Sequence, residues 1–292
     1  GTEATECAIK MARKFHSHNN QPRNEIISFE GSFHGRSIAA ISTSSSRKMR
    51  EGFGALMPGC VSINLNDRDA ILRSISEKTA AVIIEPILGE GGIITVSYEL
   101  LSLLRKICDE LGVLLIFDEV QCGMGRTGKL FAHEWGNIYP DIMTIAKGIG
   151  GGIPLGACIS SKKASAGMKI GSHGSTYGGN PLACAIGIEV LNQILEKDFL
   201  ANVLKMSSYF SQKLGGLVAS YPLVFEEVRG EGLMLGLKTK IENRLFVEAA
   251  FNQQLLIVPA AENIVRILPP LNISKSEIDI AIELLEKTAE EF

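Results

Sequence analysis

Two charged residues each close an apolar run that has the length of a buried strand. Asp118 follows the run Val113–Phe117, and Lys147 closes the run Asp141–Ala146 and precedes four glycines within five residues. In open α/β sheets, ligands bind at the carboxyl ends of the strands, and glycines let a bulky ligand approach the backbone. Taken singly, Asp118 could cap the next turn and Lys147 could be a solvated loop residue. Together, they indicate a ligand site that combines a carboxylate with an amine.

Two more segments add the remaining parts of one cofactor site. Gly1 and Thr2 open a predicted helix, where free backbone N–H groups can seat a phosphate, although a Thr here could also serve only as an N-cap. Gly174–Asn180 is a loop of small and hydroxyl residues before a helix, and it could equally be an ordinary turn. Pyridoxal 5′-phosphate needs a lysine amine, a carboxylate at its pyridine nitrogen, a donor such as Gln121 at its ring oxygen, and a phosphate seat. The sequence therefore predicts a pyridoxal-phosphate site.

Apolar runs alternate with amphipathic helical patterns, including Thr2–Phe15 and Tyr98–Leu111, until about residue 180. This alternation, with runs that carry few polar residues, favours a mainly parallel sheet that is covered on both faces. The predicted strands are Glu25–Phe29, Val61–Leu65, Ala80–Glu85, Val113–Asp118, Asp141–Ala146 and Leu155–Ser160. The later pattern predicts helices at Pro181–Glu196, Phe199–Val218, Arg244–Gln254 and Ser274–Phe292, and strands at Val224–Arg229, Leu233–Lys238 and Ile264–Leu268. We expect an α/β fold with helices on both faces of its sheet (residues 1–195) and a smaller C-terminal α+β domain (residues 196–292).

Composition excludes several classes of protein. The 292 residues include 46% hydrophobic residues, which excludes a disordered chain. With 29 Lys and Arg against 32 Asp and Glu, the net charge of −3 gives no electrostatic reason to bind nucleic acid or an anionic membrane. No apolar run approaches the roughly 20 residues of a membrane span. The six scattered cysteines show no zinc spacing, so we expect no metal site and free thiols in a reducing cytoplasm.

Seven short segments follow the order and wording of one enzyme family. They are Gly1–Ala4, Phe33–Arg36, Glu85–Gly92, Asp118–Gly128, Lys147–Ala157, Ser175–Pro181 and Val265–Leu271. The chain is therefore similar, from end to end, to the class-III pyridoxal-phosphate-dependent aminotransferases of fold type I. The resemblance implies that fold, pyridoxal phosphate as the cofactor and transamination as the activity.

The resemblance also assigns cofactor contacts. It implies that Lys147 forms the Schiff base and then carries the proton of the reaction, that Asp118 pairs with the pyridine nitrogen, and that Gln121 bonds the ring oxygen. Lys147 and Asp118 are thus the expected catalytic residues. The other expected cofactor contacts are Gly1, Thr2, Phe33, Glu119, Val120 and Thr176.

Four of these contacts have further roles in the family pattern. Gly1 and Thr2 hold the phosphate, and Phe33 stacks on the ring. Thr176 reaches the phosphate of the neighbouring subunit's cofactor, which implies a homodimer with shared active sites.

The substrate residues follow from the same resemblance. Arg36 corresponds to the arginine that takes a substrate carboxylate, and Ser175 lies near the substrate. Arg266 corresponds to a second carboxylate-binding arginine, and Glu90 pairs with it when no carboxylate arrives there. This pair acts as a gate that lets one pocket accept an ω-amino compound and 2-oxoglutarate in turn.

The segments Phe33–Arg36 and Gln121–Gly128 are nearest to the acetylornithine-specific members of the family. They imply transfer of the terminal amino group of N-acetylornithine to 2-oxoglutarate, a step of arginine biosynthesis. Ornithine, 4-aminobutyrate and succinyl-diaminopimelate remain alternative donors, and glutamate-1-semialdehyde aminomutase is a rival of the same fold. Two departures from the family stand out: Leu88 replaces a common Gln, and the phosphate motif begins at Gly1 where members carry a preceding segment. A non-catalytic truncated remnant is therefore a further alternative.

Overall fold

The computed structural model describes residues 1–292, and a six-stranded sheet forms its centre. The strands of this region are β1 (Glu25–Phe29), β2 (Cys60–Ile63), β3 (Thr79–Ile84), β4 (Ile87–Leu88), β5 (Ile94–Thr95), β6 (Leu114–Asp118), β7 (Ile142–Ile145) and β8 (Ala157–Ser160). The sheet order is β2-β1-β3-β6-β7-β8, with β4 and β5 forming a separate hairpin. Only β8 runs antiparallel to its neighbour. The mainly parallel sheet is confirmed, and each predicted strand is present with ends shifted by at most two residues.

Helices cover both faces of this sheet. They are α1 (Thr2–His18), α2 (Ile38–Ser42), α3 (Arg47–Arg50), α4 (Arg68–Ser74), α5 (Tyr98–Leu111) and α6 (Pro181–Ile194), and short 3₁₀ helices span Ala132–Trp135, Lys147–Gly150 and Ala164–Gly167. The ends of α5 agree with the prediction because its sequence marks both of them. The hydroxyl of Ser97 accepts from the N–H of Leu100, and Gly112 adopts the left-handed conformation that stops the helix.

Successive residues of β6 alternate between two apolar cores. Leu115 and Phe117 pack into the core on the α5 side, whereas Leu114 and Ile116 pack into the core on the α1 side. Because both faces are buried, the strand needs an uninterrupted apolar run. The first polar residue after that run, Asp118, is therefore the point where the chain leaves the core.

The second half of the chain builds a small antiparallel sheet. Its elements are α7 (Phe199–Ser220), β9 (Phe225–Glu231), β10 (Met234–Thr239), α8 (Asn243–Asn252), β11 (Val258–Ala260), β12 (Ile264–Ile267) and α9 (Lys275–Ala289), with sheet order β11-β12-β10-β9. Three strands and three helices were predicted for this region, and only the edge strand β11 was missed. It has three residues, and Pro259 at its centre cannot donate a ladder hydrogen bond. None of the helices in the chain combines the length and apolar content needed to cross a bilayer.

We propose residue 195 as the domain boundary. Ile194, at the end of α6, packs with Met143 and Ile145 of the large sheet. From Val203 onward, the apolar face of α7 packs instead into the core of the small sheet. Because Phe199 and Leu200 still pack with Ile194, the change of packing partner falls within the first turn of α7, just after the proposed boundary.

Candidate active site

The carboxyl edge of the large sheet brings three polar residues to one level. In the parallel register, Ile84 lies beside Phe117, so Glu85 and Asp118 leave adjacent strands at the same height. Asp118 in turn lies beside Thr144 of β7. Neighbouring side chains on one face of a sheet have Cβ atoms about 5 Å apart. This edge forms the floor of a cavity of about 1040 Å³ that both Glu85 and Asp118 line.

Asp118 is held by three hydrogen bonds. Its Oδ2 lies 2.8 Å from Nδ1 of His34, and its Oδ1 accepts from the N–H of Val120 and the hydroxyl of Thr144, both at 3.1 Å. Burial alone would lower the pKa of His34, but the hydrogen bond and charge of Asp118 outweigh burial and raise it. The carboxylate is 3% exposed and faces the cavity. Its orientation is therefore fixed before any ligand binds.

Lys147 lines the same cavity. It begins the 3₁₀ helix after β7 with a φ of +47°, an uncommon conformation for a residue with a side chain. The side chain lines the cavity, and burial lowers the pKa of its amine. The negative charges of Glu85 and Asp118 act in the opposite direction. Backbone strain of this kind is typical of functional positions. The amine is thus shifted toward the neutral form that can act as a nucleophile or base.

The first turn of α1 supplies the end of the cavity that could hold a phosphate. The first hydrogen bond of the helix runs from the N–H of Thr5 to the carbonyl of Gly1, so the N–H groups of the intervening residues have no acceptor within the helix. These residues line the cavity. At Gly35, φ is +127° and a Cβ atom would overlap the hydroxyl of Thr2. The glycine lets the loop after β1 close directly onto the helix start.

Phe33 lines the cavity, whereas Arg36 does not line it and lies against the Phe33 ring. The backbone N–H of Phe33 donates to Oε1 of Glu85 at 2.8 Å. Arg36 is exposed, and its Cζ lies 5.4 Å from the centre of the Phe33 ring. Stacking of this kind keeps the guanidinium beside that ring, where an arriving carboxylate could meet it.

The structure joins Glu90, Gln121 and Arg266 into one cluster. Nη1 of Arg266, on β12, lies 2.8 Å from Oε1 of Glu90 and 2.8 Å from Oε1 of Gln121. We call Gly89–Gly91 the gate loop. The side chain of Glu90 is 40% exposed, but the carbonyl of Glu90 accepts from the N–H of Ala261 at 3.0 Å. The gate loop is therefore fastened to the small domain by its backbone, while its carboxylate reaches solvent.

Ser175 and Thr176 line the cavity of their own chain and are exposed. The Ser175 hydroxyl donates to Oε2 of Glu3, in the first turn of α1, at 3.2 Å. The loop thus lies at the phosphate end of the cavity. The reach of Thr176 into a neighbouring subunit remains a prediction.

A family comparison identifies the chain. The model of the family described as "Aminotransferase class-III" matches residues 1–289. The chain belongs to this family. It is 52% identical over 290 residues to an acetylornithine aminotransferase of Rhodobacter capsulatus, covering 99% of this chain and 74% of that one. A second acetylornithine aminotransferase, from Mesorhizobium japonicum, is 49% identical, with 99% and 73% covered.

Solved structures agree with this membership. The N-acetylornithine aminotransferase of Stenotrophomonas maltophilia is similar with a TM-score of 0.84 at 34% identity, over 99% of this chain and 72% of that one. The ornithine aminotransferase of Toxoplasma gondii has a TM-score of 0.93 at 31% identity, over 100% and 71%. The expected fold type is confirmed.

Among the expected cofactor residues of this aminotransferase, Glu119 is placed differently from the others. Its carboxylate accepts from the N–H groups of Ala132 and His133 and lies 2.9 Å from Nδ1 of His133. It is fully buried and does not line the cavity. Its side chain stabilises the start of the 3₁₀ helix Ala132–Trp135, and any contact with the cofactor stays a prediction.

Sequence reasoning gave no role to Glu85 or Thr144 and treated His34 as a structural neighbour. The signal for Glu85 was available, because it is the last residue of the predicted strand Ala80–Glu85, as Asp118 is of Val113–Asp118. Thr144 lies inside an apolar run, where a hydroxyl indicates a buried partner. The contact between His34 and Asp118 had no signal, because it depends on how the loop after β1 folds.

Proposed function

We propose that the chain is a pyridoxal-phosphate-dependent aminotransferase that moves the terminal amino group of N-acetylornithine to 2-oxoglutarate. The observation that carries this proposal is the shared cavity of Lys147, Asp118 and the open start of α1. Its chemistry fits the cofactor: an amine for the carbonyl, an oriented carboxylate for the ring nitrogen, and free N–H groups for the phosphate. Phe33 and Val120 add the apolar wall that a flat ring requires.

When bound, pyridoxal phosphate supplies an electron sink for the carbon that bears the transferred amino group. Asp118 keeps a proton on the ring nitrogen, and His34 holds Asp118 in place for this task. Lys147 moves the proton to and from the reacting carbon, a task that its lowered pKa favours. Gln121 retains its amide N–H groups for the ring oxygen because its Oε1 is occupied by Arg266.

The gate separates the two half-reactions. With the amino donor bound, Glu90 neutralises Arg266, and Arg36 takes the donor's carboxylate. With 2-oxoglutarate bound, one of its two carboxylates displaces Glu90 and forms the bidentate pair that arginine favours. One cavity then serves substrates of different charge.

We also propose a homodimer in the cytoplasm. Exposed apolar side chains beside the Ser175–Thr176 loop support an interface: Tyr177 is 81%, Leu182 68% and Ile188 61% exposed. Such a patch is typical of an interaction surface. Six free cysteines suit a reducing compartment.

The absorption spectrum of the protein with pyridoxal phosphate, before and after N-acetylornithine, tests the proposal. We expect a yellow band that bleaches as the amino group moves to the cofactor, and that returns with 2-oxoglutarate. Bleaching by ornithine, 4-aminobutyrate or succinyl-diaminopimelate in preference would keep the chemistry and correct the donor. No band at all would favour a non-catalytic protein.

A further inference from the structure

Glu85 is a buried carboxyl group on the cavity floor to which the proposed reaction gives no step. It follows β3 directly, is 3% exposed and lies level with Asp118 on the adjacent strand. Burying a carboxyl group beside another one is costly unless its oxygens find donors. The two N–H groups that donate to Glu85 belong to two different segments of the site.

One oxygen of Glu85 bonds the segment that carries the Phe33 ring, which we call the Phe33 wall, and the other bonds the gate loop. Oε1 accepts from the backbone N–H of Phe33 at 2.8 Å. Oε2 accepts from the backbone N–H of Gly89, the residue before Glu90, at 3.3 Å. A single side chain therefore bridges the aromatic wall and the carboxylate of the gate.

The gate loop has little room to move independently of this bridge. A Cβ atom at Gly89 would overlap the side-chain amide of Gln121, which itself bonds Arg266. A Cβ atom at Gly91 would lie 2.8 Å from the carbonyl oxygen of Gly31. A displacement at Gly89 must therefore pass to the residues that face the ring oxygen and the substrate.

We propose that Glu85 is a positioning residue that couples the Phe33 wall to the Glu90 gate. The inference rests on the proposed function, because it assigns Glu85 a part in choosing between an amino donor and a dicarboxylate. The carboxyl group acts only through the backbone of the two walls.

The charge of Glu85 makes this coupling sensitive to pH. Burial raises the pKa of Glu85 to about 7, while the charge of His34 opposes the rise and that of Asp118 adds to it. Lys147 and the buried thiol of Cys122 also face this carboxyl group. Above this pKa both oxygens accept hydrogen bonds fully; below it one oxygen carries a proton and holds its N–H more weakly. Selection by the gate should therefore weaken as the pH falls through about 7.

The test compares Glu85→Gln and Glu85→Met with Glu30→Gln as the matched control. Glu30 also follows a strand at this edge of the sheet, but it is exposed and does not line the cavity. We expect the control to behave as the wild type in every measurement. Glu85→Gln keeps one acceptor oxygen, whereas Glu85→Met keeps the size of the side chain and removes both.

Hydrogen exchange of the cofactor-free protein gives the first measurement. In Glu85→Met, the amides of Phe33 and Gly89 should exchange faster by about tenfold, while amides of β6 keep their protection. Unchanged exchange at these two amides would overturn the inference, and so would faster exchange throughout the sheet. This measurement does not depend on the proposed activity.

Half-reactions of the cofactor-loaded protein give the second. We expect Glu85→Met to shift the kcat/KM ratio of N-acetylornithine to glutamate about twofold to threefold toward glutamate, less than removal of the gate carboxylate itself. Adding Glu85→Met to Glu90→Ala should change this ratio no further, because both act on one gate. Additive effects, an equal kcat loss for both substrates, or a wild-type ratio without pH dependence near 7 would contradict the coupling. A wild type that takes up no cofactor would instead contradict the proposed function and leave the exchange result to decide the role of Glu85.

Discussion

The cofactor end of the site, which lines the cavity, and the gate end, which meets the cavity only through Gln121, are held in different ways. At the cofactor end, Asp118 is almost fully buried and fixed by three hydrogen bonds from His34, Val120 and Thr144. At the gate end, the Glu90 carboxylate is 40% exposed and bonds only Arg266. Buried, fully bonded charges are costly to disturb, whereas an exposed ion pair contributes about 0–1 kcal/mol. The first end is built to stay in place, and the second is built to open.

Lys147→Ala should have the largest effect, because it removes the group that bonds the cofactor and moves the proton. We expect kcat to fall by at least ~10⁴-fold, given the size of acid–base and covalent contributions. Cofactor should bind without a covalent link, so after borohydride reduction gel filtration in denaturant should release it from the variant but not from the wild type. Turnover near the wild-type level would contradict the assignment.

Asp118→Asn should come next. It keeps the shape of the side chain but removes the charge that holds a proton on the ring nitrogen. Each unit of pKa lost there corresponds to about 1.4 kcal/mol, so a two-unit loss would lower kcat by about 100-fold. The same change should lower the pKa of His34, measurable by NMR titration. A kcat within twofold of the wild type would show that Asp118 does not set the charge of the ring.

Gly89→Ala should disturb the junction between the two ends. Its Cβ atom would displace the amide of Gln121 from its bond to Arg266. We expect the Kd of pyridoxal phosphate to rise about tenfold, as for the loss of one hydrogen bond to a charged partner. Gly215→Ala is the control: a Cβ atom there meets nothing within 4 Å, and in helix α7 it should be neutral or stabilising. Equal affinities of both variants for pyridoxal phosphate would show that the contact between Gly89 and Gln121 does not affect cofactor binding.

Glu90→Ala should have the smallest effect, confined to the choice of substrate. Freeing Arg266 from its partly exposed partner should favour dicarboxylates over N-acetylornithine by about threefold to fivefold, with kcat for the preferred half-reaction retained. Competition between the two substrates for one enzyme sample measures this ratio directly. An unchanged ratio would remove Glu90 from the gate.

The large sheet could be predicted because its four central strands, β1, β3, β6 and β7, are buried on both faces. Such strands require apolar runs, and their ends mark where Asp118 and Lys147 emerge. The edge strand β11 gave no such signal, because it is short and carries Pro259.

The cofactor end and the gate end differ in the same respect. Gln121 follows Asp118 by only three positions, so their spacing in the sequence alone favours their proximity. Arg266 lies 176 residues from Glu90, and only family resemblance joined them. His34 reaches Asp118 through the fold of the loop after β1, which no local pattern encodes, whereas the place of Glu85 at the end of a strand could have been inferred from the sequence.

The backbone hydrogen bond between Ala261 and Glu90 bears on the rate at which the proposed gate could open. Because this bond ties the gate loop to the small domain, the carboxylate can leave Arg266 by rotating its own side chain. Rotamer changes of exposed side chains take picoseconds to nanoseconds, whereas domain motions take microseconds to milliseconds. In the proposed reaction, exchange of the two substrates would then need a side-chain rotation and no domain motion. The ion pair between Glu90 and Arg266 could then form or break according to the charge of the substrate in each half-reaction.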